Sequence, residues 1–228
     1  MKIQEQLIDS VELNPEQTAT HSVIWLHGLG ADGTDFVPMV PELKLPAALP
    51  VRFIFPHAPI MPITINNGYK MRAWFDIHDI SSRAKIDEAG IFNAKLLLEN
   101  LIEREINRGI STENIILAGF SQGAVVALMT GLAYPKRLGG IIALSGFMPL
   151  ADKIMAMANP INQSTPIFVA HGTQDALVPF ALGETTYQLL KKAGYRVSWH
   201  AYPMGHSVCG EEVGEISRFM QQAFGSRK

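Results

Sequence analysis

The stretch from Asn114 to Ala133 constrains this chain more than any other. It begins as a continuous apolar run, Asn114–Gly119, passes through Gly119-Phe120-Ser121-Gln122-Gly123, and continues as an almost wholly apolar segment, Gln122–Ala133, which Pro135 stops. Ile115 to Tyr134 is twenty residues without a charge, long enough to span a membrane as a helix. Gly119 and Gly123 even have the spacing of a helix-dimer face. However, Gly119, Ser121, Gln122 and Gly123 interrupt the apolar run in its first half, and Glu113 rather than a basic flank precedes it. The stretch therefore reads as a buried strand, a tight turn and a buried helix. A serine at the apex of such a turn, with small residues two positions to either side, is a nucleophile elbow. The strained turn lifts the hydroxyl above the sheet, and the glycines let strand and helix approach closely.

The rest of the chain repeats this rhythm. Apolar runs at Val23–His27, Val51–Phe55, Gly140–Ser145, Ile167–His171 and Arg196–Tyr202 predict further strands, with a weaker N-terminal strand within Gln4–Leu13. Most are continuously apolar, as in strands covered on both faces. Between them, Asp87–Asn107 carries Ile91, Ala94, Leu98, Leu101, Ile102 and Ile106 at helical spacing, with Gly109 suited to its C-terminal end. Phe180–Lys192 and Glu211–Phe224 predict two more helices. Strands alternating with helices imply an α/β fold, a mostly parallel central sheet with helices on both faces. With 228 residues, no repeat and no linker-like segment, the expectation is a single domain, 1–228, of the α/β-hydrolase type.

In a parallel sheet the chemistry belongs beyond the C-terminal strand ends. Ser121 needs a base to remove its proton and a carboxylate to orient that base. In this fold the order along the chain is Ser, acid, His. His171 precedes the acid candidate and His200 lies inside the last strand pattern. His206, in the turn Tyr202-Pro203-Met204-Gly205-His206-Ser207, is the predicted base. Asp175 follows the Ile167–His171 strand and is the favoured acid. Asp152 is the competitor, farther from its own strand end. The oxyanion formed on attack needs N–H donors. The backbone N–H groups of Gln122 and of Leu29, in His27-Gly28-Leu29-Gly30, are the candidates.

The same loop contains Gly28-x-Gly30-x-x-Gly33, the spacing of a dinucleotide fingerprint. That reading requires an acid about twenty positions on to hold the ribose. None occurs between Leu43 and Phe75, and Pro38 and Pro41 interrupt the helix that should receive the pyrophosphate. No cofactor is expected. No metal is expected either: paired-cysteine and H-E-x-x-H spacings are absent, and Asp76-Ile77-His78-Asp79 is too thin to stand alone. Nineteen basic against 21 acidic side chains give a net charge of −2, which leaves no basic excess for nucleic acid. The lone Cys209 cannot form an internal disulfide, and Met1–Gln6 lacks the apolar run of a secretory signal. The expected location is cytoplasmic, without a transmembrane segment.

The chain also resembles a known group, the carboxylesterase and acyl-protein thioesterase (phospholipase/carboxylesterase) family of small α/β-hydrolases. The matching segments are Leu26–Gly30, Pro56-His57-Ala58-Pro59, Asn67–Asp76, Gly119–Gly123, His171–Asp175 and Met204–Ser207. The elbow is shared by many hydrolases; the Gly68–Asp76 stretch is more particular to this group. The resemblance implies a compact hydrolase without a large lid, Ser121, Asp175 and His206 as its triad, and Leu29 and Gln122 as oxyanion donors. It further implies a carboxylic ester, lysophospholipid or thioester-linked acyl group as substrate.

The expected activity is thus serine hydrolysis of esters through an acyl-serine intermediate. The alternative is a catalytically inactive hydrolase fold used for binding. Expected partners are a small-molecule or lipid ester and, through the resemblance, an acylated protein; a weak homodimer is left open. Trp74 and Met148 are candidate substrate-binding residues, with Met61, Met71, Met155 and Met157 on segments that either flank the strand ends or fill core gaps.

Overall fold

The computed structural model describes residues 7–78 and 87–225. Nine strands and five α-helices alternate along them. Strands β1 (Ser10–Leu13), β2 (His21–Leu26), β3 (Val51–Pro56), β4 (Ile60–Ile63) and β5 (Tyr69–Arg72) come first. Then follow α1 (Glu88–Asn107), β6 (Ile115–Phe120), α2 (Gln122–Ala133), β7 (Gly140–Leu144) and α3 (Ala151–Met157). The chain closes with β8 (Ile167–Gly172), α4 (Phe180–Lys192), β9 (Val197–Tyr202) and α5 (Gly210–Gly225). Seven strands form one sheet in the order β1-β3-β2-β6-β7-β8-β9. All pairings in it are parallel except that of β1 with β3.

Both faces of this sheet are covered, which is why its central strands carry apolar residues without alternation. One core cluster packs Ile24, Leu26, Leu117 and Val169 against α1, α2 and α4. The other packs Val23, Trp25, Ala118 and Phe168 against α5 and the turns after β2. The expected strands all occur, with edges shifted by up to two residues; Asn114 belongs to a short 3₁₀ turn before β6. The N-terminal strand is β1, and residues 4–6 of its expected span lie outside the described set, as does Asp79. Asp87 caps α1 by accepting from the Gly90 N–H at 2.9 Å. The hairpin β4–β5 and the seven-residue α3 were not expected from the sequence.

Register puts the functional loops on one edge. Leu26 pairs with Gly119, Phe120 with Leu144, and Gly172 with Tyr202, so β2, β6, β7, β8 and β9 end at about the same level. The crossing of α2 over this edge is very close. A Cβ on Gly119 would lie 2.2 Å from Gly123 O, and one on Gly123 would lie 2.4 Å from Leu26 O and 2.7 Å from His27 O. These obstacles are backbone atoms and cannot turn aside. Gly33 is needed for a similar reason: its Cβ would meet Phe55 O at 2.3 Å. The chain beyond it enters two 3₁₀ turns, Val37–Met39 and Pro41–Leu43, rather than a helix.

A Gly123→Ala substitution is expected to push α2 away from the end of β2 and to lower stability by on the order of 3 kcal/mol. Urea unfolding measures this; an unchanged midpoint would mean that the crossing is looser than described.

Candidate active site

Ser121 sits at the junction of β6 and α2 with φ 55° and ψ −116°, a conformation costly for any residue with a Cβ. Its N–H donates to Leu144 O at 2.8 Å, which anchors the turn to β7. The side chain is half-buried. Gly28 lies alongside: a Cβ there would be 3.4 Å from Ser121 Cβ. The Leu26–Gly30 loop and the elbow are therefore in direct contact, with the Gln122 backbone starting α2 beside them.

The loops after β8 and β9 are zipped together. Thr173 N–H donates to Tyr202 O at 2.8 Å and Gln174 N–H to Met204 O at 3.0 Å. A Cβ on Gly172 would strike Met204 O at 2.3 Å and Gly205 O at 2.4 Å. This contact brings Asp175 to His206: Nδ1 of His206 is 2.7 Å from Oδ2 of Asp175. An ionised carboxylate only accepts, so Nδ1–H donates and Nε2 is left to act as a base. The other oxygen of Asp175, Oδ1, accepts from the N–H groups of Leu177 (2.9 Å) and Val178 (2.8 Å). The His206 ring packs on Phe120, the residue before Ser121, with centroids 4.7 Å apart. Asp152, the competing acid, is exposed in the first turn of α3.

Four braces around this cluster went unread in the sequence. Gln122 is buried, and its side chain spans two backbone groups: Oε1 accepts from Trp74 N–H at 2.8 Å, and Nε2 donates to Phe75 O at 2.7 Å. The Trp74 indole N–H donates to His27 O at 2.8 Å. Trp74 is thus buried behind the Leu26–Gly30 loop. His27, held below its ordinary pKa by burial, donates through Nδ1 to Gly28 O (2.7 Å) and accepts at Nε2 from Ala58 N–H (3.1 Å). Gly30 N–H donates to Arg72 O at 2.9 Å, which ties the loop to the β4–β5 hairpin.

His171 is the fourth brace. It is fully buried, donates from Nε2 to Val178 O at 2.9 Å, and keeps the same nitrogen 3.4 Å from Asp175 Oδ2. Only residue types were visible in the sequence; these partners are backbone atoms, which every residue has and no spacing pattern encodes. Met148 is buried in the core, and its N–H donates to Thr186 Oγ1 at 2.9 Å.

The family model described as Phospholipase/Carboxylesterase matches residues 9–224 of this chain. The chain belongs to the phospholipase/carboxylesterase family. Among its relatives, acyl-protein thioesterase 1 of Neurospora crassa is 42% identical over 89% of this chain and 86% of its own. Carboxylesterase SOBER1 of Arabidopsis thaliana is 36% identical over 88% of this chain and 89% of its own. The crystal structure of SOBER1 superposes with a TM-score of 0.83 at 35% identity, covering 89% of this chain and 98% of that one. Acyl-protein thioesterase 2 of Zea mays gives 0.85 at 28% identity over 96% and 100%. This family member is accordingly an enzyme of the α/β-hydrolase fold without a large lid, a serine hydrolase that cleaves carboxylic esters. The inactive alternative finds no support. No described helix is long and apolar enough to cross a membrane.

One carboxyl beside the cluster bears on stability. Glu212 is fully buried in the first turn of α5, just past the His206 loop. Burial lifts its pKa from 4.5 to about 8; the Cys209 backbone offsets this only in part, and neither oxygen meets a donor at hydrogen-bond geometry. The folded chain therefore keeps the proton where the unfolded chain has released it. Its contribution is most favourable below about pH 4.5, declines as the pH rises, and levels off above about pH 8. Glu212→Gln is expected to gain on the parent through that window by up to about 1.4 kcal/mol per pH unit. Urea unfolding near pH 5, 7 and 9 tests it; an equal gap at all three would show that the carboxyl does not titrate between them.

Proposed function

We propose that this family member acts as a single domain through Ser121, His206 and Asp175. The observation that carries this reading is the 2.7 Å bond between His206 Nδ1 and Asp175 Oδ2, with the His206 ring packed at a tilt on the residue next to Ser121. His206 Nε2 takes the Ser121 proton as the hydroxyl oxygen attacks the acyl carbonyl. The N–H groups of Leu29 and Gln122 receive the oxyanion. His206 then protonates the departing alcohol or thiol, and the acyl group stays on Ser121. A water deprotonated by His206 attacks the acyl-serine, and the proton returns to Ser121 as the acid leaves. Asp175 holds the imidazole in the tautomer with Nδ1–H and stabilises the imidazolium.

The substrates we propose are lipid esters and thioester-linked acyl groups on proteins. The similarity to acyl-protein thioesterase 1 and to carboxylesterase SOBER1 supports both. In this reading Trp74 backs the oxyanion loop through its bond to His27 O, and Met148 forms part of the deeper wall of the acyl site.

Ser121→Ala is expected to lower turnover by on the order of 10³- to 10⁶-fold and to abolish labelling by a fluorophosphonate probe. A hydrolysis panel of short esters, long esters, acyl thioesters and lysophospholipids, with this variant as blank, measures the activity and sorts the substrates. Normal ester hydrolysis by the alanine variant would refute the assignment of the nucleophile.

A further inference from the structure

The opposite edge of the sheet holds a second feature that ester cleavage does not use. A cavity of about 360 Å³ opens where β7, β8 and β9 begin. Its rim is the backbone just before or at the start of those strands: Gly139, Pro166 and Arg196. This rim is fixed by strand-like bonds, Ile141 N–H to Pro166 O at 3.0 Å and Ile167 N–H to Arg196 O at 2.8 Å. Phe219 on α5 makes an apolar wall, itself packed on Phe168 with centroids 5.6 Å apart.

Among the described residues the cavity is lined by two arginines, Arg137 and Arg196, and by no acidic residue. Among the described arginines these two stand apart. Arg52, Arg104, Arg108 and Arg218 each pair with a carboxylate, and Arg72 donates to Ala58 O. The guanidinium groups of Arg137 and Arg196 have no ion pair or hydrogen bond within the described residues, and Arg137 Nε is buried without a partner. A buried donor left unpaired is costly. Arg137 is half-buried and Arg196 exposed, so two cations without a counter-charge among the described residues line one concavity that opens to solvent.

We propose that this cavity binds a phosphate monoester with an apolar body. Guanidinium forks match phosphate oxygens in pairs, and two of them balance the near-dianionic charge of a monoester at neutral pH. Phe219, with Pro166 and Val197, receives the organic part. The volume lies at the small end of the range for small-molecule sites. Since β8 spans six residues from this edge to the other, the site lies about 20 Å from Ser121. It is separate from the hydrolytic centre and independent of the role proposed for Ser121.

The test is calorimetric titration of the intact protein at low salt with phenyl phosphate, inorganic phosphate and neutral benzyl alcohol. A parallel measurement uses phosphatidylcholine vesicles with and without a phosphoinositide. Phenyl phosphate is expected to saturate at one per chain, more tightly than inorganic phosphate, with no binding of benzyl alcohol. Arg137→Gln and Arg196→Gln should each weaken it at least tenfold, and the double variant should lose it while hydrolysing esters at the parent rate. Ser121→Ala should bind as the parent does. Absence of saturable binding, or binding unchanged in the double variant, would overturn the proposal. Equal affinity for inorganic phosphate would overturn the part given to the apolar wall, and capture by phosphoinositide vesicles without binding of the soluble probe would overturn a soluble ligand.

Discussion

The contact between the start of α2 and the end of β2 is the constraint on which the rest depends. A residue with a Cβ does not stay at φ 55° on its own account. Ser121 stays there because β6 and α2 leave room for no other turn. Gly119 faces the backbone of Gly123, and Gly123 faces the carbonyls of Leu26 and His27, all within distances that exclude a side chain. The same crossing sets where the loop after β2 runs, since that loop starts from the very carbonyls that Gly123 touches. The positions of Ser121 and of the Leu26–Gly30 loop are therefore one geometric fact rather than two.

Loops placed this way still need to be held, and the fold holds them with hydrogen-bonding side chains. His27 and His171 both stand at the ends of strands, both are buried, and each gives one ring N–H to a nearby backbone carbonyl. One fixes the turn after β2, the other the turn after β8 that carries Asp175. Gln122 serves a second purpose through its side chain, clamping Trp74 and Phe75, while Trp74 in turn holds His27 O. A chain of direct hydrogen bonds thus runs from α2 through residues 74–75 back to the loop after β2. Preorganised donors need this kind of support, because an oxyanion is stabilised only by N–H groups that do not have to move to meet it.

How much of this was legible depended on whether the signal was local. The central strands announced themselves because burial on both faces makes them continuously apolar, and α1 because its buried residues recur at helical spacing. The pairing of Asp175 with His206 followed from two strand ends and the order of residue types, and the 2.7 Å bond between them agrees. The hairpin β4–β5 escaped because its strands are four residues long, contain Pro62, and bear exposed Ile60 and Tyr69 without alternation. Helix α3 escaped because seven residues give too little periodicity to read. The order rule set His171 aside as a base. Nothing in the sequence could show its bond to Val178 O, because what it bonds is a carbonyl, and every residue has one.

Charge is divided unevenly between the two edges of the sheet, and the division suits the chemistry. Near the start of β2 and β3, Glu105 is fully buried yet meets Ser22 Oγ at 2.6 Å, Arg52 at 2.8 Å and Arg108 at 3.1 Å. Glu105 and its arginines answer one another there, whereas Arg137 and Arg196, on the same edge, have no such partner among the described residues. At the other edge, around Ser121, the bracing comes from backbone amides, an indole N–H, a side-chain amide and buried imidazoles. Fixed cations there would stabilise a carboxylate product as readily as the oxyanion that precedes it, since both carry full negative charge. N–H dipoles aimed at one point discriminate by position instead. Asp175 is the carboxylate that touches this cluster directly. Its charge is taken up by two backbone N–H groups and by His206, so it reaches the reacting atoms only through the imidazole it orients.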